Sequence, residues 1–109
     1  MIGPNGSGKT TLFNVISAIY RPTSGIIKLK GKDITSLNCY EICKLGIGRT
    51  FQIARPFQRM TVLENVMVAA VFGPEKAINV DDACQNAKKT ISLVGLDDKT
   101  NLLAGRLTL

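Results

Sequence analysis

The spacing of apolar and polar residues along this chain predicts an alternation of helices and short strands. Residues 9–20 are apolar around most of a helical circumference and leave one narrow polar stripe, which predicts a buried first helix. Lysines alternate with apolar residues over 26–30, the period of a half-buried strand, and a second short strand is predicted over 47–51. A helix as apolar as the first belongs inside a layered α/β core.

A short helix is predicted over 37–45, where apolar residues fall at helical spacing. We expect Cys39, Ile42 and Cys43 to face inward. Gly46 is expected to end this helix, because glycine readily takes the left-handed conformation found after a helix C-terminus.

The second half of the chain is predicted to be mainly helical after a loop over 53–60. The S/T-x-x-E pattern at 61–64 is a capping box that opens a helix, and Gly73 is expected to end it. An amphipathic helix is predicted over 80–94, with acidic residues near its N-terminus and Gly95 at its end.

The composition is that of an ordinary globular domain, with 45% hydrophobic and 20% charged residues in a chain of 109. No apolar run approaches the roughly 20 residues of a membrane span, and the N-terminus does not resemble a signal peptide, so we expect a cytoplasmic protein. The net charge of +6 suggests nucleic-acid binding. That function is disfavoured because no aromatic residue lies among the lysines of the first strand to stack on bases.

The cysteine pattern disfavours zinc and haem sites. Cys39, Cys43 and Cys84 form no C-x-x-C pair, and the chain contains no histidine. Reduced, packed thiols are the expected state.

The strongest chemical signal is a glycine-rich stretch directly before the predicted first helix. The pattern G-x-x-x-x-G-K-[ST], a phosphate-binding loop, is filled by Gly3, Gly8, Lys9 and Thr10. Its glycines allow positive φ, so that backbone N–H groups can surround a phosphate at the positive end of the helix. In this pattern the lysine reaches the β- and γ-phosphates, and the threonine hydroxyl ligates Mg²⁺. A chance glycine-rich turn is the alternative, which the strong helix signal after it disfavours.

Three blocks of the sequence resemble the ATP-binding subunits of ABC transporters. The family's Walker A loop resembles residues 3–12 (GPNGSGKTTL), its small antiparallel subdomain resembles residues 24–34 (SGIIKLKGKDI), and its Q-loop with the start of the helical subdomain resembles residues 46–66 (GIGRTFQIARPFQRMTVLENV). The third block is the most specific. It is most similar to importers of branched-chain (hydrophobic) amino acids, while urea and amide importers stay open.

The resemblance implies an α/β fold, a partial P-loop NTPase (ABC-type) nucleotide-binding domain with part of the helical subdomain. The nucleotide-binding core would cover residues 1–52, with Walker A, antiparallel strand and Q-loop, and the helical subdomain residues 53–109.

The resemblance also implies roles for single residues. Gln52 matches the Q-loop glutamine, which helps to ligate Mg²⁺ together with Thr10 and orients the attacking water. Taken alone, Gln52 would be a polar residue at the end of a strand. ATP would be held by the whole loop, which consists of Gly3, Pro4, Asn5, Gly6, Ser7, Gly8, Lys9, Thr10 and Thr11.

The implied partners are transmembrane permease subunits, a second ATP-binding subunit in a head-to-tail dimer and, indirectly, a periplasmic or extracellular solute-binding protein. Residues 52–61 would lie near the permease. The chain would then be cytoplasmic and peripheral on the inner face of the cell membrane.

The resemblance further predicts a fragment truncated at both ends. Two residues precede Gly3 where the family has a strand, residues 104–109 approach a signature motif, and neither a Walker B strand nor the family's switch histidine is present. We therefore expect no complete catalytic site, no steady ATPase activity and poor solubility of the isolated chain.

Three interpretations stay open: part of an ATPase that drives solute import, a module that binds ATP–Mg²⁺ without hydrolysing it, and a non-functional gene fragment. A different P-loop enzyme, such as a small-molecule kinase, is disfavoured by the block at 46–66.

Overall fold

The computed structural model describes residues 2–51 and 53–107 and divides into two compact units, residues 1–49 and 50–109. The first unit contains α1 (Lys9–Ile16), β1 (Lys28–Leu29), β2 (Lys32–Asp33) and α2 (Cys39–Lys44). The second contains α3 (Val62–Phe72), α4 (Val80–Leu93) and two 3₁₀ turns, Asp97–Lys99 and Ala104–Arg106. None of the helices within the described ranges combines the length and the apolar content that a membrane crossing needs.

Helix α1 is shorter and more exposed than its apolar pattern predicts. It ends at Ile16 instead of Tyr20, because Ala18 takes a left-handed conformation with φ of 58°. Leu12 and Phe13 are 45% and 51% exposed, so the prediction of a buried helix is wrong for this chain. The physical reason is that the paired strands found in the described residues, β1 and β2, have two residues each, too few to form a sheet that covers a helix.

The turn between β1 and β2 begins at Lys30, a residue that was predicted to belong to the strand over 26–30. Lys28 pairs with Asp33 and Leu29 with Lys32 in an antiparallel register. Lys30 and Gly31 form the two-residue turn with φ of 48° and 82°, and two positive φ values are the signature of a tight hairpin turn.

The hairpin carries a pH-dependent contact at Asp33. Hydrogen bonds from the Thr35 hydroxyl and the Thr35 N–H, with Lys28 nearby, hold the pKa of Asp33 below its ordinary value. Folding thus favours the charged carboxylate, so its stabilisation is present above the ordinary pKa of Asp and is lost as pH falls through the lower folded value. We expect an NMR titration of the Asp33 carboxyl carbon to give a midpoint below that of Asp in model peptides. A midpoint at or above that reference would contradict this contact.

Helix α2 buries only one of the three residues predicted to face inward. Ile42 is buried, whereas Cys39 and Cys43 are exposed, so the prediction is wrong for both thiols. Gly46 ends the helix with φ of 93°, as predicted. The strand predicted over 47–51 does not form. The structure describes all of this stretch, and no strand of the described residues lies beside its backbone to pair with it.

Helix α3 begins at the predicted capping box and ends at the predicted glycine. Glu64 N–H donates to the Thr61 hydroxyl oxygen over 3.2 Å, and the Glu64 carboxylate accepts from Thr61 N–H over 2.7 Å. Each side chain therefore satisfies a backbone donor that the helix itself cannot pair. Gly73 caps the C-terminus.

Removal of this cap should weaken the second unit. We expect Thr61→Ala to lower its free energy of unfolding by about 1 kcal/mol, the typical cost of losing an N-cap side chain. The matched control is Thr90→Ala on the exposed face of α4, which should change it by less than about 0.5 kcal/mol. Urea unfolding followed by circular dichroism measures both, and equal losses would argue against the cap.

Helix α4 packs on α3 through one narrow face. Ala83, Ala87 and Ile91 are fully buried, at four-residue spacing. The predicted face is therefore right in its middle, but Val80 and Val94 at its two ends are 70% and 61% exposed.

The chain after α4 folds back along the entry to α3 through a set of backbone hydrogen bonds. We call this set the entry ladder; its N–H to carbonyl pairs are Val62 to Leu102 (2.9 Å), Leu63 to Thr100 (3.0 Å), Ala104 to Met60 (2.9 Å) and Gly105 to Gln58 (3.1 Å). It joins stretches that are far apart in sequence, and no periodicity in the sequence predicted it.

Candidate functional site

The stretch from Gly3 to Thr11 forms one continuous loop that runs into α1. Gly6 and Gly8 have φ of 82° and 87°, values that other residue types rarely adopt. A Cβ at either position would meet no atom of the described residues within 4 Å apart from the adjoining residues, so the backbone conformation requires glycine there and the space beside it is open. Gly3 is different, because a Cβ on it would lie 2.8 Å from the Ser7 hydroxyl oxygen.

Among the residues that the structure describes, no acidic or capping side chain neutralises the positive N-terminal end of α1. Its N-cap is Gly8, which has no side chain to cap the helix, and the first turn contains no acidic residue. The first backbone bond runs from Leu12 N–H to the Gly8 carbonyl over 2.9 Å. Within the described ranges, the amides of Gly8, Lys9, Thr10 and Thr11 therefore have no acceptor. Unpaired amides at the positive end of a helix can bind an anion.

Lys9 folds back over the loop from the first position of α1. Its ammonium group donates to the carbonyl of Gly3 and, over 3.2 Å, to the carbonyl of Pro4. The half-buried lysine thus closes the two ends of the loop around the amides. An ammonium group held by neutral carbonyls can exchange one of them for an anion at a gain, because bonds between two charged groups are stronger.

The structure describes some, but not all, of the other residues predicted to bind nucleotide or Mg²⁺. Ser7, Thr10 and Thr11 are exposed beside the amides. Gln52 lies outside the described residues, so its predicted contacts with Mg²⁺ and water stay predictions. In the part of the chain that the structure describes, no group of three or more His, Cys, Asp or Glu side chains could hold a metal ion.

Arg49 makes a contact with α1 that could not be predicted from the sequence. Its guanidinium donates to the Ser17 hydroxyl over 2.8 Å, and that hydroxyl donates to the Phe13 carbonyl over 2.6 Å. A cation at a helix C-terminus is favoured by the helix dipole. Arg49 thereby ties the chain shortly before Gln52 to the C-terminus of α1. Two residues so far apart in sequence leave no local pattern that predicts their contact.

The second unit bears an open apolar groove on α3, with a volume of about 240 Å³. It is lined by Met60, Glu64, Met67, Val68, Val71 and Phe72. The groove starts at Met60, within the 52–61 stretch that the resemblance places near a permease.

Comparisons of the sequence and of the fold with known proteins point to one family. The chain is 55% identical over 69 residues to a probable branched-chain amino acid transport ATP-binding protein, LivG, of Archaeoglobus fulgidus. It is 51% identical over 69 residues to the high-affinity branched-chain amino acid transport ATP-binding protein BraF of Pseudomonas aeruginosa. Each alignment covers 63% of this chain and 27% of the relative.

A solved structure shows the same fold in about half of a larger protein. It is the ADP conformation of MJ1267, an ATP-binding cassette of an ABC transporter, with 34% sequence identity and a TM-score of 0.75. The match covers 98% of this chain and 46% of that one, which confirms the predicted partial α/β fold.

The chain spans well under two thirds of the length of these relatives. The sequence profile described as "ABC transporter" nevertheless matches residues 1–108. Because that match extends over nearly all of its length, the chain belongs to the ABC transporter family.

Proposed function

We propose that this chain binds ATP–Mg²⁺ at the loop from Gly3 to Thr11, as the nucleotide-binding part of a subunit that powers amino acid import. The observation that carries the proposal is the N-terminus of α1, where four amides have no acceptor in the described chain and no acidic side chain competes. The β- and γ-phosphates of ATP supply the missing acceptors. The open space beside Gly6 and Gly8 lets them approach the backbone.

Three polar side chains then have proposed roles. Lys9 keeps its bond to Gly3, exchanges the longer one to Pro4 for a β-phosphate oxygen, and donates its third proton to a γ-phosphate oxygen. The Thr10 hydroxyl, exposed at the second position of α1, ligates Mg²⁺ with Gln52. Gln52 also orients the water that attacks the γ-phosphate.

The solute class is proposed from the relatives. The similar proteins LivG and BraF are both named for branched-chain amino acid transport. We propose that the subunit works with transmembrane permease subunits, pairs head-to-tail with a second ATP-binding subunit, and depends indirectly on a solute-binding protein. It would lie on the inner face of the cell membrane, with residues 52–61 and the groove on α3 near the permease.

Hydrolysis and its coupling to import are proposed for the whole subunit, because this chain covers about a quarter of the length of the named relatives, 27% in each alignment. Binding, in contrast, depends on residues that the chain itself contains.

A competition experiment tests phosphate-directed binding. A fluorescent ATP analogue bound with Mg²⁺ should be displaced by ATP and ADP, and at least about 10-fold less well by AMP, which lacks the β- and γ-phosphates that Lys9 and the amides contact. Equal displacement by AMP would show that the loop is not the binding site. No binding of the analogue at millimolar concentration would reject the proposed function for this chain.

A further inference from the structure

Asn65, in the first turn of α3, makes an unusually complete set of side-chain hydrogen bonds. Its carbonyl oxygen Oδ1 accepts from Phe57 N–H over 2.8 Å. Its amide nitrogen Nδ2 donates to the carbonyls of Thr61 (2.9 Å), Phe57 (3.1 Å) and Met60 (3.4 Å). Because the Phe57 N–H can only donate and the three carbonyls can only accept, only one orientation of the amide fits. One half-buried side chain thus fixes the backbone of residues 57–61.

The same stretch is one side of the entry ladder. The Met60 carbonyl accepts from Asn65 on one side and from Ala104 N–H on the other. The Gln58 carbonyl, next to Phe57, accepts from Gly105 N–H over 3.1 Å. Gly105 also fits tightly, since a Cβ on it would lie 3.0 Å from the Gln58 carbonyl oxygen. The bonds of Asn65 therefore continue, through the backbone of 57–61, into the chain at 104–105.

We propose that Asn65 is a positioning residue that locks residues 57–61 and residues 100–105 into one body, so that a displacement of the first stretch moves the second. The helix cap does not account for this, because the Thr61 and Glu64 side chains bond each other and the backbone of 61–64 only. Of the hydrogen bonds among the described residues, residues 57–60 would keep without Asn65 only the ladder bonds from Ala104 and Gly105 and the bond from Met60 N–H to the Phe57 carbonyl.

We call the connection from Asn65 through residues 57–61 to residues 104–105 the relay. It goes beyond the proposed transport role and does not depend on it, because all of its contacts lie inside the second unit. Its significance lies in what it connects. Residues 57–61 form the C-terminal part of the 52–61 stretch and adjoin the groove on α3 at Met60. Anything that binds there and shifts Met60 would also shift Ala104 and Gly105.

Amide hydrogen exchange of the 109-residue chain, measured residue by residue, tests the relay. Asn65→Ala should lower the protection factors of Phe57, Ala104 and Gly105 by at least about 10-fold, because several hydrogen bonds of roughly 1 kcal/mol each are lost. Ala104 and Gly105 are decisive, since Asn65 touches neither. The matched control is Asn86→Ala, which removes an exposed amide that bonds only Asp82, over 3.4 Å. It should leave all three protection factors unchanged.

Gly105→Ala perturbs the entry ladder from the segment at 104–105. This variant tests the proposal if Asn65→Ala does not fold. The new methyl group forces the Gln58 carbonyl away, so the Phe57 amide, which it does not contact, should also lose about 10-fold protection. Changes confined to the residues that each substitution touches would overturn the proposal. An equal loss at Ala87 and Ile91 in α4 would overturn it as well, because it would show general destabilisation.

Discussion

Lys9→Ala is expected to weaken the binding of ATP–Mg²⁺ by at least about 100-fold. Lys9 is the one residue of the loop whose side chain already bridges the Gly3 and Pro4 carbonyls and that brings a positive charge to the phosphates. Charge-assisted hydrogen bonds contribute about 1.5–3 kcal/mol each, and the loss of two such bonds corresponds to a 100-fold or larger change in the dissociation constant. Titration with a fluorescent ATP analogue measures the effect.

Two further variants separate charge from structure. Lys9→Met keeps most of the length of the side chain but not its charge, and should lose affinity to a similar extent. Lys44→Ala removes a lysine of the same unit that lies over the Tyr40 ring, 4.3 Å from its centroid, and should leave affinity within about 2-fold. Near-normal affinity of Lys9→Met would mean that a contact other than the ammonium group holds the nucleotide.

Ile91→Ala is expected to cost the second unit about 2–5 kcal/mol of unfolding free energy. Ile91 is 1% exposed and is the largest side chain of the described residues that is fully buried. Its removal leaves a cavity on the buried face of α4, where Ala83 and Ala87 are too small to fill it. A unit of this size has only a few kcal/mol of stability, so the variant should be largely unfolded at room temperature.

Leu93→Ala is the matched control, because Leu93 lies on the same helix and is 88% exposed. Its unfolding free energy should change by less than about 0.5 kcal/mol. Urea unfolding followed by circular dichroism measures both variants. Comparable midpoints for the two would contradict the assignment of the core to this face of α4.

Local signals predicted the elements whose ends and faces are set within a few residues. The capping box at Thr61, the glycine stops at Gly46 and Gly73, and the buried middle of α4 were all predicted from the sequence. The conformation of the glycine-rich loop belongs to this group, because the left-handed glycines and the lysine lie within one turn of α1; phosphate binding by this loop stays a prediction.

Contacts between distant segments could not be predicted in this way. The bond from Arg49 to Ser17 and the entry ladder depend on where the chain returns in space. Burial was also misjudged where an expected neighbour is absent from the described structure. The side chains of Leu12 and Phe13 in α1 and the thiol of Cys43 remain exposed, although their spacing is that of a packed face.

The most direct test of the account is a crystal structure of the chain with Mg²⁺ and a non-hydrolysable ATP analogue. We predict that the β- and γ-phosphates lie within 3.2 Å (about the limit of a hydrogen bond) of the amides of Gly8 to Thr11, with the Lys9 ammonium on a phosphate oxygen. A nucleotide bound elsewhere, or these amides turned away from its phosphates, would contradict the central claim that this loop is the nucleotide site.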